Sequence, residues 1–155
     1  MQIPPETFVH LAKHLINQGN LDKPLDECVF QAHFKLTPLG TAKLWTRLLQ
    51  YNPQSVTLDG VKYSISNYQP NHLLWLLHYL KTYVSEDVAA SFCGISNKTH
   101  GKYVWSLMQF VYNMGCNLVS TGYFILIFSF LYFIHLSFCS RCTLKTDLRA
   151  VMGQN

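Results

Sequence analysis

The stretch that decides the fold is residues 85–100, Ser85-Glu86-Asp87-Val88-Ala89-Ala90-Ser91-Phe92-Cys93-Gly94-Ile95-Ser96-Asn97-Lys98-Thr99-His100. Its pattern predicts two short helices joined by a tight turn, the arrangement of a helix-turn-helix. The acidic pair Glu86 and Asp87 suits the first turn of one helix, and Gly94 permits a left-handed corner. Ser96 is then a candidate N-cap for a second helix that we expect to run through Trp105.

Two interpretations of this unit stay open at the level of the sequence. In a DNA-binding helix-turn-helix, the second helix lies in the major groove with its first turns against base edges and phosphates. Two short helices around a glycine corner also occur as structural αα-hairpins in helical cores. The second helix begins with Lys98 and Lys102, and no acid occurs between Asp87 and Asp147. This basic start favours DNA binding.

The candidate DNA-binding residues are therefore Lys98, Thr99, His100 and Lys102. We expect Lys98 and Lys102 to contact phosphates of double-stranded DNA, and Thr99 and His100 to approach base edges. Four large apolar side chains are expected to hold the helices of the unit together: Trp75, Phe92, Ile95 and Trp105. We predict no catalytic residue, cofactor or metal ion.

The N-terminal third of the chain predicts three more helices. Apolar residues at helical spacing follow Pro5 and end before Gly19, a candidate C′ residue. A second helical block begins near Cys28. Thr37-Pro38 has the pattern of an N-cap followed by proline in the first turn, and Trp45 is expected to be a core anchor of the helix that follows.

Two further elements precede the helix-turn-helix pattern. Residues 56–63 predict a small β-hairpin on an Asp-Gly turn. Pro70 opens a helix that we expect to reach about Tyr83 and that is apolar nearly all round, as in a buried helix. His72 and His78 lie on that helix six residues apart. They are predicted to be partly exposed or hydrogen-bonded histidines rather than metal ligands, which favour a spacing of four.

We predict an all-α fold in five segments. These are a helical N-terminal module at 1–50, a linker with a small hairpin at 51–69, a three-helix helix-turn-helix-type unit at 70–114, a hydrophobic segment at 118–138, which is a candidate transmembrane helix, and a basic tail at 139–155. The net charge of +4 is modest, so any affinity for DNA must come from local placement of charge. Five scattered cysteines, an odd number, favour free thiols in a reducing compartment.

Two separated blocks carry a resemblance to a known family. The first is Phe30-x-x-x-Phe34-x-x-Thr37-Pro38…Leu44-Trp45-x-x-Leu48. The second is His72-Leu73-Leu74-Trp75…Leu80-Lys81-x-Tyr83, continued by Glu86-x-Val88-Ala89-Ala90-x-Phe92-x-Gly94-Ile95-Ser96-x-Lys98-Thr99…Trp105. Together, over roughly residues 29–114, they resemble the helical region that precedes the catalytic domain in eukaryotic Harbinger-type transposases of the DDE superfamily.

The resemblance implies a DNA-binding protein of the nucleus. That family carries out cut-and-paste transposition with a ribonuclease-H-like domain, in which three carboxylates hold two divalent metal ions. In this chain the only acid after Asp87 is Asp147. The resemblance therefore implies a truncated transposase-like DNA-binding region without the nuclease, and not an enzyme. An inactive remnant of a transposable element is the alternative outcome.

The sequence departs from the family pattern inside the second helix of the unit. His100-Gly101 occupies the position where a basic or aromatic residue is expected. Glycine within a helix costs about 1 kcal/mol relative to alanine. The loss of an arginine removes a phosphate or guanine contact worth about 1–3 kcal/mol. The departure therefore predicts weakened affinity for DNA even where the fold is retained.

The segment 118–138 has no formal charge and is rich in Phe, Ile, Leu and Tyr. Three interpretations stay open for it. It has the length and hydropathy of a transmembrane helix, which makes a single-pass membrane protein with a small helical interaction head the main alternative function. A buried core helix is the second interpretation. The third is translation of non-coding or frame-shifted sequence, because the family resemblance ends near Asn113. A CxxC follows at Cys139 and Cys142, but it has no second ligand pair for zinc.

Overall fold

The computed structural model describes residues 3–16, 24–51, 56–58 and 60–120, with the backbone alone at residues 51 and 116–120. Within these ranges the chain is mostly helical. The elements in chain order are α1 (Pro5–Ile16), α2 (Glu27–Phe34), α3 (Pro38–Tyr51), β1 (Val56–Leu58), β2 (Val61–Tyr63), a 3₁₀ turn (Ile65–Asn67), α4 (Pro70–Thr82), α5 (Glu86–Phe92) and α6 (Asn97–Ser120). The prediction of an all-α fold is confirmed at the level of a mostly helical chain, to which one two-stranded hairpin is added.

Local capping explains where the N-terminal helices begin. The backbone N–H of Val29 donates to the Asp26 carboxylate over 2.7 Å, so α2 begins one residue before the predicted Cys28. The N–H of Gly40 donates to the Thr37 hydroxyl over 2.9 Å, which confirms the predicted start of α3. Trp45 is 2% exposed and is the core anchor that we predicted. The expected end of α1 near Gly19 lies outside the described residues.

The predicted hairpin is present. Strands β1 and β2 pair antiparallel with Val56 opposite Tyr63 and Leu58 opposite Val61, which leaves a two-residue connection. Gly60 has a φ of 77°, the left-handed conformation that such a turn requires. Val56 is buried, so the hairpin rests on the helical core by that residue. This contact matters because an isolated hairpin is only marginally stable in water.

Helix α4 lies at the centre of the fold. Its eight consecutive residues from His72 to Tyr79 are all buried, which confirms the prediction of a helix buried on all sides. It packs against α1, α2 and α5. Its predicted bounds are confirmed within one residue.

The predicted division into an N-terminal module, a linker and a three-helix unit stays a prediction, and contacts between helices cross its boundaries. Residues 1–111 form one compact unit, because α4 packs on α1 and α2 as well as on α5. A second unit begins at Tyr112, and its described part is the helical stretch 112–120. Cys28 and Cys93 are free thiols, in agreement with the prediction.

Helix α6 is longer than predicted. It continues past Trp105 to Ser120, because apolar residues at helical spacing extend its buried stripe through Val104, Leu107 and Val111. The hydrophobic segment 118–138 lies outside the described residues from residue 121 onward, as does the basic tail 139–155. Among the helices of the described part, none combines the length and the hydropathy needed to cross a membrane.

Candidate nucleic-acid interface

A glycine corner sets the direction in which α6 leaves α5. The N–H of Gly94 donates to the carbonyl of Ser91, and the N–H of Ile95 donates to the carbonyl of Ala90 over 3.1 Å. These two bonds, with Gly94 at a φ of 68°, form a Schellman motif at the end of α5. The connection between the helices is only four residues long, from 93 to 96. The predicted tight turn with its left-handed glycine is confirmed.

Ser96 caps the start of α6, as predicted. Its hydroxyl oxygen accepts the backbone N–H of Thr99 over 3.2 Å and lies 2.8 Å from the Thr99 hydroxyl. The cap satisfies one of the N–H groups that a helix start leaves without a partner. It also engages the side chain of Thr99, although a hydroxyl keeps further hydrogen-bonding capacity.

Three of the four predicted DNA-binding residues are exposed. Lys98, Thr99 and Lys102 are all on the surface in the first two turns of α6. Lys98 and Lys102 are four residues apart and therefore share one face of the helix. That face is opposite the buried stripe that begins at His100 and continues with Val104. The Lys102 ammonium lies 5.7 Å from the centre of the Tyr103 ring, at the long end of the range for a cation–π contact.

The prediction that His100 approaches base edges is wrong for this fold. The His100 side chain is 1% exposed and points into the core, where its ring lies 5.9 Å from that of Tyr79. Neither ring nitrogen of His100 has a hydrogen-bond partner. Burial lowers the pKa of His100, against an opposing effect from the Glu86 carboxylate. The physical reason is helical periodicity, which places residue 100 on the core stripe with Val104 and Leu107.

Both acidic residues of α5 lie against the start of α6. Asn97 donates its side-chain N–H to the Asp87 carboxylate over 2.5 Å, and the Trp105 indole N–H donates to Glu86 over 3.1 Å. These bonds tie α5 to α6 on the side where α6 is basic. They also place two negative charges beside the first turns of α6, which reduces the positive potential of that surface.

Ring contacts join the helices of this region through Trp75, Phe92 and Trp105, three of the four residues that we predicted to hold it together. They also involve His72 and His78, to which we assigned no such role. Phe92 stacks on His78 with ring centres 3.8 Å apart, and Tyr103 stacks on His72 at 4.0 Å. Ser106 accepts a hydrogen bond from the Tyr68 hydroxyl and donates to the carbonyl of Lys102. The signal in the sequence was a set of histidines at positions where the helical pattern requires apolar residues.

His72 and His78 are more buried than we predicted. They are 7% and 6% exposed, and burial is the largest of the effects that lower the pKa of each imidazole to about 4. His72 accepts a backbone hydrogen bond, so it is satisfied as expected, whereas Nδ1 of His78 has no partner. In the part of the chain that the structure describes, no group of three or more histidines, cysteines or acids could hold a metal ion. The CxxC at 139–142 lies outside the described residues.

No protein-family model, curated protein or solved structure matches this chain. The resemblance to Harbinger-type transposases therefore stays a prediction that rests on the residues quoted for it. The chemistry of the surface must accordingly be argued from its own residues.

Proposed function

We propose that α4, α5 and α6 form a helix-turn-helix-type unit that binds double-stranded DNA through the first two turns of α6. The observation that carries the proposal is the exposure of Lys98, Thr99 and Lys102 on one side of a helix whose opposite side is buried. A second helix held by a preceding short helix and a glycine corner is the element that this class inserts into the major groove.

Electrostatics at the start of α6 supports contact with phosphates. The helix dipole gives the N-terminus a partial positive charge, which attracts phosphate groups. Lys98 and Lys102 add two full charges within the first two turns. In this arrangement the lysines contact phosphates and fix the position of the helix, while the Thr99 hydroxyl is the group nearest to a base edge.

The same surface predicts weak and largely sequence-independent binding. Two phosphate contacts correspond to a slope of about −2 in a plot of log affinity against log salt concentration. Asp87 and Glu86 oppose the lysines, and the buried His100 contributes no base contact. We therefore expect a dissociation constant of about 10⁻⁶ to 10⁻⁴ M near physiological salt, the range of non-specific DNA binding.

The test is a fluorescence-anisotropy titration of a labelled random-sequence duplex with full-length protein in a mild non-ionic detergent. The double variant Lys98→Glu/Lys102→Glu is compared with Lys43→Glu/Lys62→Glu, which changes the net charge equally on exposed positions of α3 and β2. We expect the α6 variant to bind at least about tenfold more weakly and to lose about 2 units of salt slope. Equal losses in both variants, or unchanged binding in the α6 variant, would contradict the proposal. Circular dichroism confirms that both variants stay helical.

Membrane attachment is a second candidate function, and it rests on the uncharged run 118–138 alone. A run of this length and hydropathy suffices to cross the hydrocarbon core of a bilayer. Full-length protein is expected to stay with membranes after carbonate extraction, and a variant without residues 118–138 is expected to be released. Release of both forms would exclude the anchor.

A further inference from the structure

A cluster of three rings with nearly parallel planes joins three helices: His78 and Phe92 stack face to face, and the half-buried His33 lies beside this pair. His33 on α2, His78 on α4 and Phe92 on α5 lie with nearly parallel ring planes. The ring centres of His78 and Phe92 are 3.8 Å apart, and those of His33 and Phe92 are 6.2 Å apart. His33 and His78 are 6.1 Å apart with an angle of 22° between their planes. Helix α2 is thus held to the rest of the core in part by two imidazoles.

The buried imidazoles of this region are poorly provided with hydrogen bonds. His78 is 6% exposed, and its Nδ1 has no partner, although the side chain also forms a hydrogen bond with the backbone of His33. His100 is buried on the α6 side with neither ring nitrogen paired. Burying a neutral imidazole without a hydrogen-bond partner costs less free energy than burying an imidazolium without one, because an unpaired charge in the core is far more costly than an unpaired dipole.

The titratable groups around the ring cluster do not offer a counter-charge to His78. The groups that act on it from neighbouring helices are His33 on α2 and His100 on α6, and the charge of either one lowers the pKa of His78 further. The Glu86 carboxylate on α5 acts on His100. Burial lowers the pKa of His33 as well. If His33 and His78 were both protonated, their charges would therefore repel each other.

We propose that the ring cluster of His33, His78 and Phe92 is an acid-labile contact that releases α2 from α4 and α5 as the pH falls. The buried imidazole of His78 resists protonation in the closed state and gains a proton readily only when α2 separates and water reaches the ring, while the half-exposed His33 adds a smaller effect in the same direction. Acid therefore favours the open state. The contact is a regulatory device of the fold and does not depend on DNA binding.

The size of the effect follows from proton linkage. The pKa of His78 is about 4 in the closed state against an ordinary value of 6.5. The open state therefore binds protons from pH 6.5 downward, whereas the closed state resists protonation until the pH approaches 4. At pH 5 this single difference makes opening about thirtyfold more favourable than at pH 7.5. The lowered pKa of His33 acts in the same direction.

The test is amide hydrogen exchange of the full-length protein at pH 7.5 and pH 5, corrected for the intrinsic chemical rate. We expect protection of the α2 amides to fall at pH 5 by at least about tenfold more than protection of the α3 amides, which decreases only with the global stability of the fold. The variant His33→Gln/His78→Phe removes both titrating groups and keeps a ring against Phe92, so its α2 amides should lose no more protection at pH 5 than its α3 amides.

The control is His10→Gln/His14→Phe, which removes two exposed histidines of α1 by the same substitutions. This control should keep the full response to acid. The single variant His33→Gln, at a half-exposed position, serves if the double variant does not fold, and it should reduce the response. Equal loss of protection in α2 and α3, a pH-independent wild type, or a wild-type response in the His33→Gln variant would overturn the proposal.

Discussion

Replacing His72 with glutamine should remove a large part of the acid sensitivity of this fold. His72 occupies the third position of α4, where its Nδ1 accepts the backbone N–H of Gln69 over 3.0 Å and completes a capping box. Its ring stacks on Tyr103 with centres 4.0 Å apart. Only a neutral imidazole has an acceptor nitrogen, so protonation replaces this hydrogen bond with a repulsive contact between two N–H groups.

The magnitude follows from the lowered pKa. Burial lowers the pKa of His72 to about 4, against 6.5 in the unfolded chain. The unfolded state therefore takes up a proton as the pH falls below 6.5, while the folded state does not until about pH 4. The free energy of unfolding decreases over that window. At pH 5, proton uptake by His72 in the unfolded chain accounts for about 2 kcal/mol of the decrease.

The assay is urea unfolding of the full-length protein at pH 7.5 and pH 5, followed by circular dichroism. His72→Gln retains a capping-box acceptor and loses the stacked ring, whereas His72→Phe retains the ring and loses the acceptor. Each substitution should lower the free energy of unfolding by about 1 kcal/mol at pH 7.5. Between pH 7.5 and pH 5, the free energy of unfolding of each variant should then decrease by about 2 kcal/mol less than that of the wild type. The exposed His10→Gln variant should behave as the wild type does. An unchanged pH dependence in His72→Gln would refute the reasoning.

Four further substitutions test the region around the glycine corner. Gly101→Ala should raise the free energy of unfolding by about 0.5–1 kcal/mol, because the added Cβ would meet Trp105 at an ordinary 3.6 Å in a helix interior. Gly94→Ala should lower it by about 1 kcal/mol, because the φ of 68° is strained for alanine although the space is open. Ser96→Ala should lower the free energy of unfolding by about 1 kcal/mol through loss of the α6 cap. Thermal unfolding measures these three variants, and an unchanged midpoint in any one of them contradicts the argument for that variant. Asp87→Asn keeps a hydrogen-bond acceptor for α6 and should strengthen DNA binding about two- to fivefold in the anisotropy titration, whereas weaker binding would show that this carboxylate does not oppose the lysines.

The elements that the sequence predicted well are those with a local cause. The starts of α3 and α6, the hairpin turn and the left-handed corner at Gly94 each depend on residues within about five positions of one another. Hydroxyl caps and glycines with positive φ act over such distances regardless of what packs on them. These features could therefore be predicted before any tertiary contact was known.

The candidate interface was only partly predictable. The exposure of Lys98, Thr99 and Lys102 agrees with their polar character, but a histidine is compatible with either side of a helix. His100 was assigned to the surface because it lies between two lysines, whereas the core stripe of α6 passes through it. The predicted end of α6 at Trp105 was also wrong, because apolar residues at helical spacing continue its buried stripe through Val111.

The sequence by itself determined the helices, the hairpin, the corner between α5 and α6 and the basic character of the first turns of α6. Only the tertiary structure decided that residues 1–111 form one compact unit and that the ring of His33 on α2 lies near that of Phe92 on α5. It also decided that the carboxylates of Glu86 and Asp87 lie beside α6. The physical reason is distance along the chain. Capping and backbone conformation depend on neighbouring residues, whereas burial and ring stacking depend on side chains from other helices that meet only in the folded core.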